Sequence, residues 1–191
     1  MQRKIAIVHG RFQPLHNGHL YDYILEAWKK SECDYMYIGI TNPDIMHTKD
    51  SDVDPQRSLP ESNPLTFIER LEMIKQAMLE ENITLKQFDI VPFPINFPEL
   101  LEKFAPVGAK YYLTIFDEWG DEKALILEKV YGKENVEVLY RKPKSEKKIT
   151  ATMVRKNIRD GKEWKNLVPN AVSKFLKDND LLKRIAETQK T

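Results

Sequence analysis

Short apolar runs alternate with amphipathic stretches along this chain. The runs "IAIVH" (5–9), "YMYIGI" (35–40), "FDIVPF" (88–93), "KYYLTIF" (110–116) and "VEVLY" (136–140) are mostly apolar throughout, as strands covered on both faces are. Between the first two, Leu20, Tyr23, Ile24, Ala27 and Trp28 fall at the i, i+3, i+4, i+7 and i+8 positions of one helical stripe. Phe67, Leu71, Ile74 and Met78 line one side of a second helix, which follows "NPLT" with Thr66 as its cap. Further helices are expected over 98–104, 121–131, 152–160 and 170–187. The alternation predicts an α/β fold of one domain over 1–191. Its five- or six-stranded parallel sheet carries helices on both faces, right-handed crossovers and a small helical C-terminal part at 165–191.

Ligands of such sheets bind at the carboxyl ends of the strands, where His9, Gly10, Ile40, Thr41, Phe116 and Asp117 fall. The segment "TNPDIMHTKDSDVDPQRSLPESNP" (41–64) breaks the pattern: it is polar, holds four prolines and shows no period. Loops of that length are either functional lids or disordered.

Composition narrows the partners. With 41% hydrophobic residues in 191, the chain can build a full core, and its single cysteine, Cys33, excludes an intramolecular disulfide framework. Cys33 is expected to be a packing residue, and its solitude suits a reducing cytoplasm. A net charge of +1 lacks the basic footprint of a nucleic-acid binder, so an anionic ligand must be held by a local cluster. No run approaches the ~20 apolar residues of a membrane span, and the N-terminus shows no signal-peptide pattern. The expectation is a cytoplasmic protein without nucleic-acid or membrane partners.

The candidate chemistry begins at "GRFQPLHNGHL" (10–20). Gly10 ends the first strand, where a missing side chain lets a ligand approach the backbone. Asn17 is a good N-cap, so Gly18 and His19 would open the first helix and offer free N–H groups and a helix dipole to a phosphate. His16 and His19 can face the same anion, Arg11 adds a permanent charge, and an imidazolium donates to a phosphoryl oxygen. Zinc is the competing reading and fails on ligand count.

These residues carry a resemblance. "GRFQPLHNGH" resembles the HxGH element of the nucleotidyltransferase superfamily, most closely in its archaeal-type nicotinamide-nucleotide adenylyltransferases. "KKITATMVR" resembles that family's (I/Y)S(G/S/T)TxxR element, with Thr152 and Arg155 in matching positions and Thr150-Ala151 as the departure. "NPLTFIER" resembles NPFTxxER, with Glu69 and Arg70 near the helix start, and "LYRKP" matches in outline. The resemblance implies a Rossmann-like nucleotidylyltransferase fold. It also implies transfer of a nucleoside monophosphate from a triphosphate to a phosphate-bearing acceptor, with release of pyrophosphate.

On this resemblance His16, His19, Arg11 and Arg155 are the catalytic set, with Arg155 on the β- and γ-phosphates. Gly10, Phe12, Gly18, Asp117, Trp119, Thr150 and Thr152 bind nucleotide. Mg²⁺ is expected with the triphosphate, held by phosphate and water without a dedicated cage, so no metal ligand is assigned. The charged run "RKPKSEKK" (141–148) is a candidate cover over the phosphates. Thr41, Asn42, Arg57, Phe93 and Phe97 are the acceptor candidates, with His47 and Lys49 as alternatives to Arg57 for a phosphate-binding arginine of the family. The family's nicotinamide-stacking Trp has no counterpart in "PFPINFPELLEKF".

The first reading is adenylyl transfer from ATP to nicotinamide mononucleotide. The runner-up is a CTP-using enzyme acting on a small phosphorylated or phosphonate-bearing molecule. A non-catalytic nucleotide-binding regulator is the alternative of another class, and the intact His16, His19 and Arg155 count against it. Homo-oligomer formation stays open.

Overall fold

A computed structural model describes residues 3–44 and 59–188. Its strands are β1 (Ile5–Gly10), β2 (Tyr35–Thr41), β3 (Phe88–Phe93), β4 (Lys110–Ile115) and β5 (Val136–Arg141). All pair in parallel, in the order β3-β2-β1-β4-β5. The chain builds outward from β1 in one direction, then returns to its other side, leaving a switch point between β1 and β4. Alternation within β1 sets the two faces: Ala6 and Val8 enter one core, Ile7 the other.

The first core receives helices from both ends of the chain. They are α1 (Asn17–His19), which continues through a wide π turn at Leu20–Ile24 into α2 (Leu25–Ser31), then α3 (Phe67–Glu80), α6 (Ala151–Arg159), α7 (Asn170–Asp178) and α8 (Leu181–Glu187). The second core is closed by α4 (Pro98–Leu101) and α5 (Glu118–Tyr131), through Leu101, Leu127 and Tyr131. Cys33 is half-buried against the first core, as a packing residue would be.

Several boundaries differ from the sequence expectation. The C-terminal helix is broken in two, because Asp180 adopts a left-handed φ of 55° and Asn179 turns its amide onto the Phe175 carbonyl at 2.9 Å. Short polar side chains that bond their own backbone compete with helix in this way. α4 stops at Leu101 rather than 104; Pro106 lies just beyond, and a proline disfavours helical conformation in the residue before it. α5 starts at Glu118 rather than 121 because the Asp117 carboxylate caps it, accepting from the Gly120 N–H at 3.0 Å. His47, Lys49 and Arg57 lie outside the described residues.

The β1–β4 junction positions the site. These strands pair only at Ala6–Lys110 and Ile7–Tyr111, then part. The Tyr23 hydroxyl, carried in by the π turn, fills the gap: it accepts from the His9 N–H at 2.9 Å and donates to the Tyr112 carbonyl at 2.7 Å. A buried backbone pair is thereby satisfied while the strand ends stay open to ligand.

Candidate active site

A cleft of about 1220 Å³ opens over the carboxyl ends of the strands. His9, Arg11, His16, His19, Thr41, Asn42, Asp117, Trp119, Thr150 and Thr152 lie on its wall. Although the chain's net charge is only +1, Arg11, Lys123, Lys142, Lys144, Lys147 and Lys148 all border this space. Asp22, Glu26, Asp117, Glu122 and Glu146 border it as well, so the wall carries both signs, with its lysines gathered mainly in the 142–148 run.

The tip of α1 is built differently from the sequence expectation. His16, not Asn17, is the N-cap: its backbone is extended (φ −133°, ψ 169°) and its Nδ1 accepts from the His19 N–H at 3.3 Å. Asn17 instead donates its side-chain amide to the Asn166 carbonyl at 3.0 Å, tying the tip to the segment before α7. The two imidazoles stack, centroids 3.6 Å apart. Because Nδ1 of His16 accepts, its proton sits on Nε2, a buried atom that makes no hydrogen bond to the described residues.

Electrostatics also revise the expected imidazolium. Burial, assisted by Lys147, lowers the His16 pKa to about 3. Burial, followed by His16, Lys147, Arg11 and Lys123, holds His19 well below its ordinary value. Both rings are neutral donors before an anion arrives, and a bound polyphosphate favours their charged forms.

The tip of α6 faces the same cleft. Thr150 caps it, accepting from the Met153 N–H at 3.1 Å, so the threonine that replaces the usual serine keeps the capping hydroxyl. Thr150, Ala151 and Thr152 border the cleft together with Lys142, Lys144, Lys147 and Lys148 from the charged run that follows β5. Lys147 sits over the Phe116 ring at 4.9 Å, and Lys142 over Tyr140 at 4.9 Å, so the run is draped on aromatic rings at the mouth.

Arg155 is placed otherwise than expected. Its guanidinium is buried, donating from Nη1 to the Gln13 carbonyl at 2.7 Å and from Nη2 to Thr152 Oγ1 at 3.3 Å, and it is not on the cleft wall. Arg70 occupies a matching position on the other flank. It is buried and donates to the carbonyls of Arg11 (3.0 Å), Thr41 (2.9 Å), Asn42 (2.8 Å) and Thr66 (3.2 Å). Between them, the Gln13 side chain exchanges two 2.9 Å hydrogen bonds with the backbone of Leu65. Burial lowers both arginines to about 10, so each stays charged at neutral pH. The loop 10–16 is thus clamped from behind by two cations, which fixes His16 at its end and adds positive potential beneath it.

Other expected contacts are displaced. Phe12 is wholly buried, with its left-handed backbone (φ 52°) turning the ring over Gly10; a Cβ on Gly10 would meet that ring at 2.8 Å. Gly10 therefore makes room for Phe12, and both residues still border the cleft. Phe93 is wholly buried and stacked on His9 at 5.0 Å, and neither it nor Phe97 reaches the cleft wall. Thr41 and Asn42 do reach it, with Asn42 Oδ1 accepting from Asn96 Nδ2 at 3.2 Å. Trp119 has one side against the second core and one on the cleft.

Comparison with known proteins agrees with this architecture. Residues 7–157 match the cytidylyltransferase-like family. The chain is 41% identical over 181 residues to the phosphonoformate cytidylyltransferase of Streptomyces viridochromogenes, covering 94% of each. It is 29% identical over 179 residues to the nicotinamide-nucleotide adenylyltransferase of Thermococcus kodakarensis, covering 92% of this chain and 84% of the other. Among solved structures, it resembles a bifunctional NMN adenylyltransferase/ADP ribose pyrophosphatase of Francisella tularensis bound to AMP and an Mn ion. That likeness has a TM-score of 0.60 at 19% identity and covers 97% of this chain but about half (52%) of the other, so it speaks for the fold.

Proposed function

The chain belongs to the cytidylyltransferase-like family of nucleotidyltransferases, and from that premise we propose that it is a CTP-using cytidylyltransferase acting on a compact phosphonate- or phosphate-bearing acid. This order reverses the first expectation of ATP and nicotinamide mononucleotide. The observation that carries it is the full-length 41% identity to a phosphonoformate cytidylyltransferase. Burial of Phe93, and the absence of Phe97 from the cleft wall, points the same way, since neither offers a free ring for nicotinamide.

In the proposed reaction an anionic oxygen of the acceptor attacks the α-phosphorus of CTP. The new O–P bond forms as the bond from the α-phosphorus to the bridging oxygen breaks, and pyrophosphate leaves with that oxygen. A phosphonate is already ionised at neutral pH, so no protein nucleophile or general base is required. What the chain supplies is alignment and charge stabilisation. His16 and His19 donate to the α-phosphate as negative charge builds there. The capped tip of α6 and the lysines of 142–148 hold the β- and γ-phosphates, and Arg11 neutralises the approach of the two anions. Arg155 and Arg70 act from beneath, by holding the loop. Mg²⁺ would supply charge neutralisation on the phosphates. The lone reduced thiol suits a cytoplasmic enzyme.

A second reading, adenylyl transfer to nicotinamide mononucleotide, is supported by relatives such as that at 29% identity. Pyrophosphate release decides between them, measured with CTP or ATP against phosphonoformate, phosphonoacetate and nicotinamide mononucleotide. Release with CTP and a phosphonate supports the proposal; release confined to ATP with the mononucleotide overturns it.

A further inference from the structure

His9 is a polar residue inside an apolar strand, and nothing in the transfer step described above uses it. It is 4% exposed, and neither Nδ1 nor Nε2 has a hydrogen-bond partner among the described residues. Its backbone N–H is already taken by Tyr23, so the ring is held in place without help from its own nitrogens. One face stacks on Phe93; the ring forms part of the cleft wall with Thr41, Asn42 and Asn96. Lys123, reaching in from α5, is near enough to act on its charge. A buried imidazole satisfied on neither nitrogen is a costly arrangement unless a ligand completes it.

Its place in the sheet tells which ligand. His9 pairs in register with Gly39 of β2 and packs on Phe93 of β3, which puts it on the β1–β2–β3 half of the cleft. The α6 tip and the 142–148 lysines, which suit a triphosphate, border the same cleft, the lysines following β5, the edge strand beyond β4. A nucleotide stretched between the α1 and α6 tips leaves the His9 side for the second substrate.

We propose that His9 reads the acceptor, its imidazole donating a hydrogen bond to an oxyanion of that small molecule, with Thr41, Asn42 and Asn96 beside it. The inference rests on the nucleotidyl-transfer reading but not on which nucleotide is used. A neutral ring suits this role, because it donates one N–H to the oxyanion without adding a fixed charge that would capture pyrophosphate. The Phe93 side chain fills the space a Cβ on Gly39 would enter, meeting its Cβ at 2.7 Å and its ring at 2.8 Å, and its ring stacks on the imidazole from behind.

The test is steady-state kinetics of His9→Leu and His9→Gln, with CTP plus phosphonoformate and with ATP plus nicotinamide mononucleotide. Leu keeps the apolar bulk against Phe93; Gln restores a donor at about the reach of Nε2. On whichever pair the unaltered protein turns over, His9→Leu should raise the acceptor KM at least tenfold. The nucleotide KM should stay within twofold, and His9→Gln should recover most of the loss. An unchanged acceptor KM in a folded His9→Leu protein overturns the proposal. So do acceptor and nucleotide KM rising together, or a Gln variant no better than Leu. Turnover only with ATP and the mononucleotide overturns the cytidylyl reading while still testing His9 on that acceptor's KM.

Discussion

The main-chain N–H of His19 donates to Nδ1 of His16 at 3.3 Å, and the two rings stack with centroids 3.6 Å apart. One contact does two things. It caps the first helix, and it fixes the His16 tautomer so that Nε2 carries the proton available for a phosphoryl oxygen. His16→Asn keeps a cap acceptor but loses that donor. His19 supplies the paired donor, and His19→Ala should lower kcat by about a hundredfold or more, as removal of a donor aimed at developing charge does. The thermal midpoint should move little. Steady-state pyrophosphate release and a melting curve on the same preparation check it; full activity would remove His19 from the chemistry.

The histidines also set a pH dependence. Burial, with Lys123 and Lys147 as secondary causes, lowers His9 and His16 to about 3, and His19 lies well below its usual value too. Unfolded imidazoles titrate near 6.5, so below that pH the unfolded chain binds protons the native state refuses. The stability these groups confer is full above about pH 7 and is lost as pH falls from about 6.5 towards about 3. The slope reaches at most about 1.4 kcal/mol per pH unit for each histidine. Urea midpoints between pH 7.5 and 5 should fall accordingly, and His9→Leu should flatten the fall by about a third. A midpoint independent of pH in that range would mean the rings titrate in the native state as they do in the unfolded chain.

Arg70 is the firmest structural commitment of the site. Arg70→Leu leaves the carbonyls of Arg11, Thr41 and Asn42 without their donor. It should cost about 3 kcal/mol, seen as a drop of roughly 6–12 °C in Tm. Arg70→Lys should rescue little, because one ammonium cannot span carbonyls that the planar fork reaches together. A Tm unchanged in Arg70→Leu would show that the loop holds itself.

Tyr23→Phe tests the switch point. Removing the hydroxyl strands the buried His9 N–H and Tyr112 C=O, at a cost of about 2 kcal/mol. Amide exchange at His9 should rise well beyond that expected from the global loss of stability. Uniform exchange across β1 would mean that water replaces the hydroxyl.

How much of this is legible in the sequence depends on what kind of signal each residue leaves. The five strands fall within a residue or so of their apolar runs; β1 and β2, the most buried, leave little choice of register, while β5 is only partly covered. The π turn leaves no mark, since its Leu20, Tyr23 and Ile24 fit an ordinary helical stripe. The motif positions are readable, but the use of individual residues is not. Arg155 looks like a phosphate ligand, whereas its bond to the Gln13 carbonyl spans 142 residues of sequence, and no local pattern announces that. Arg70 stands next to the Glu69 of a visible capping box, and only the fold shows that it turns inward. Phe93 and Phe97 qualify as acceptor candidates by chemistry alone; Phe93, in register with Thr41, packs over the space left by the missing side chain of Gly39. His9 leaves one signal, a histidine at the carboxyl end of an apolar run, which marks a place where ligands bind but gives it no role.

The central claim is that the α1 tip and the α6 tip serve one polyphosphate. A crystal structure with a non-hydrolysable CTP analogue tests it most directly. The account predicts a single nucleotide whose α-phosphate lies within hydrogen-bond distance of His16 Nε2 and whose terminal phosphates contact the Thr150–Thr152 end of α6. Phosphates that touch one tip and leave the other to solvent would contradict it.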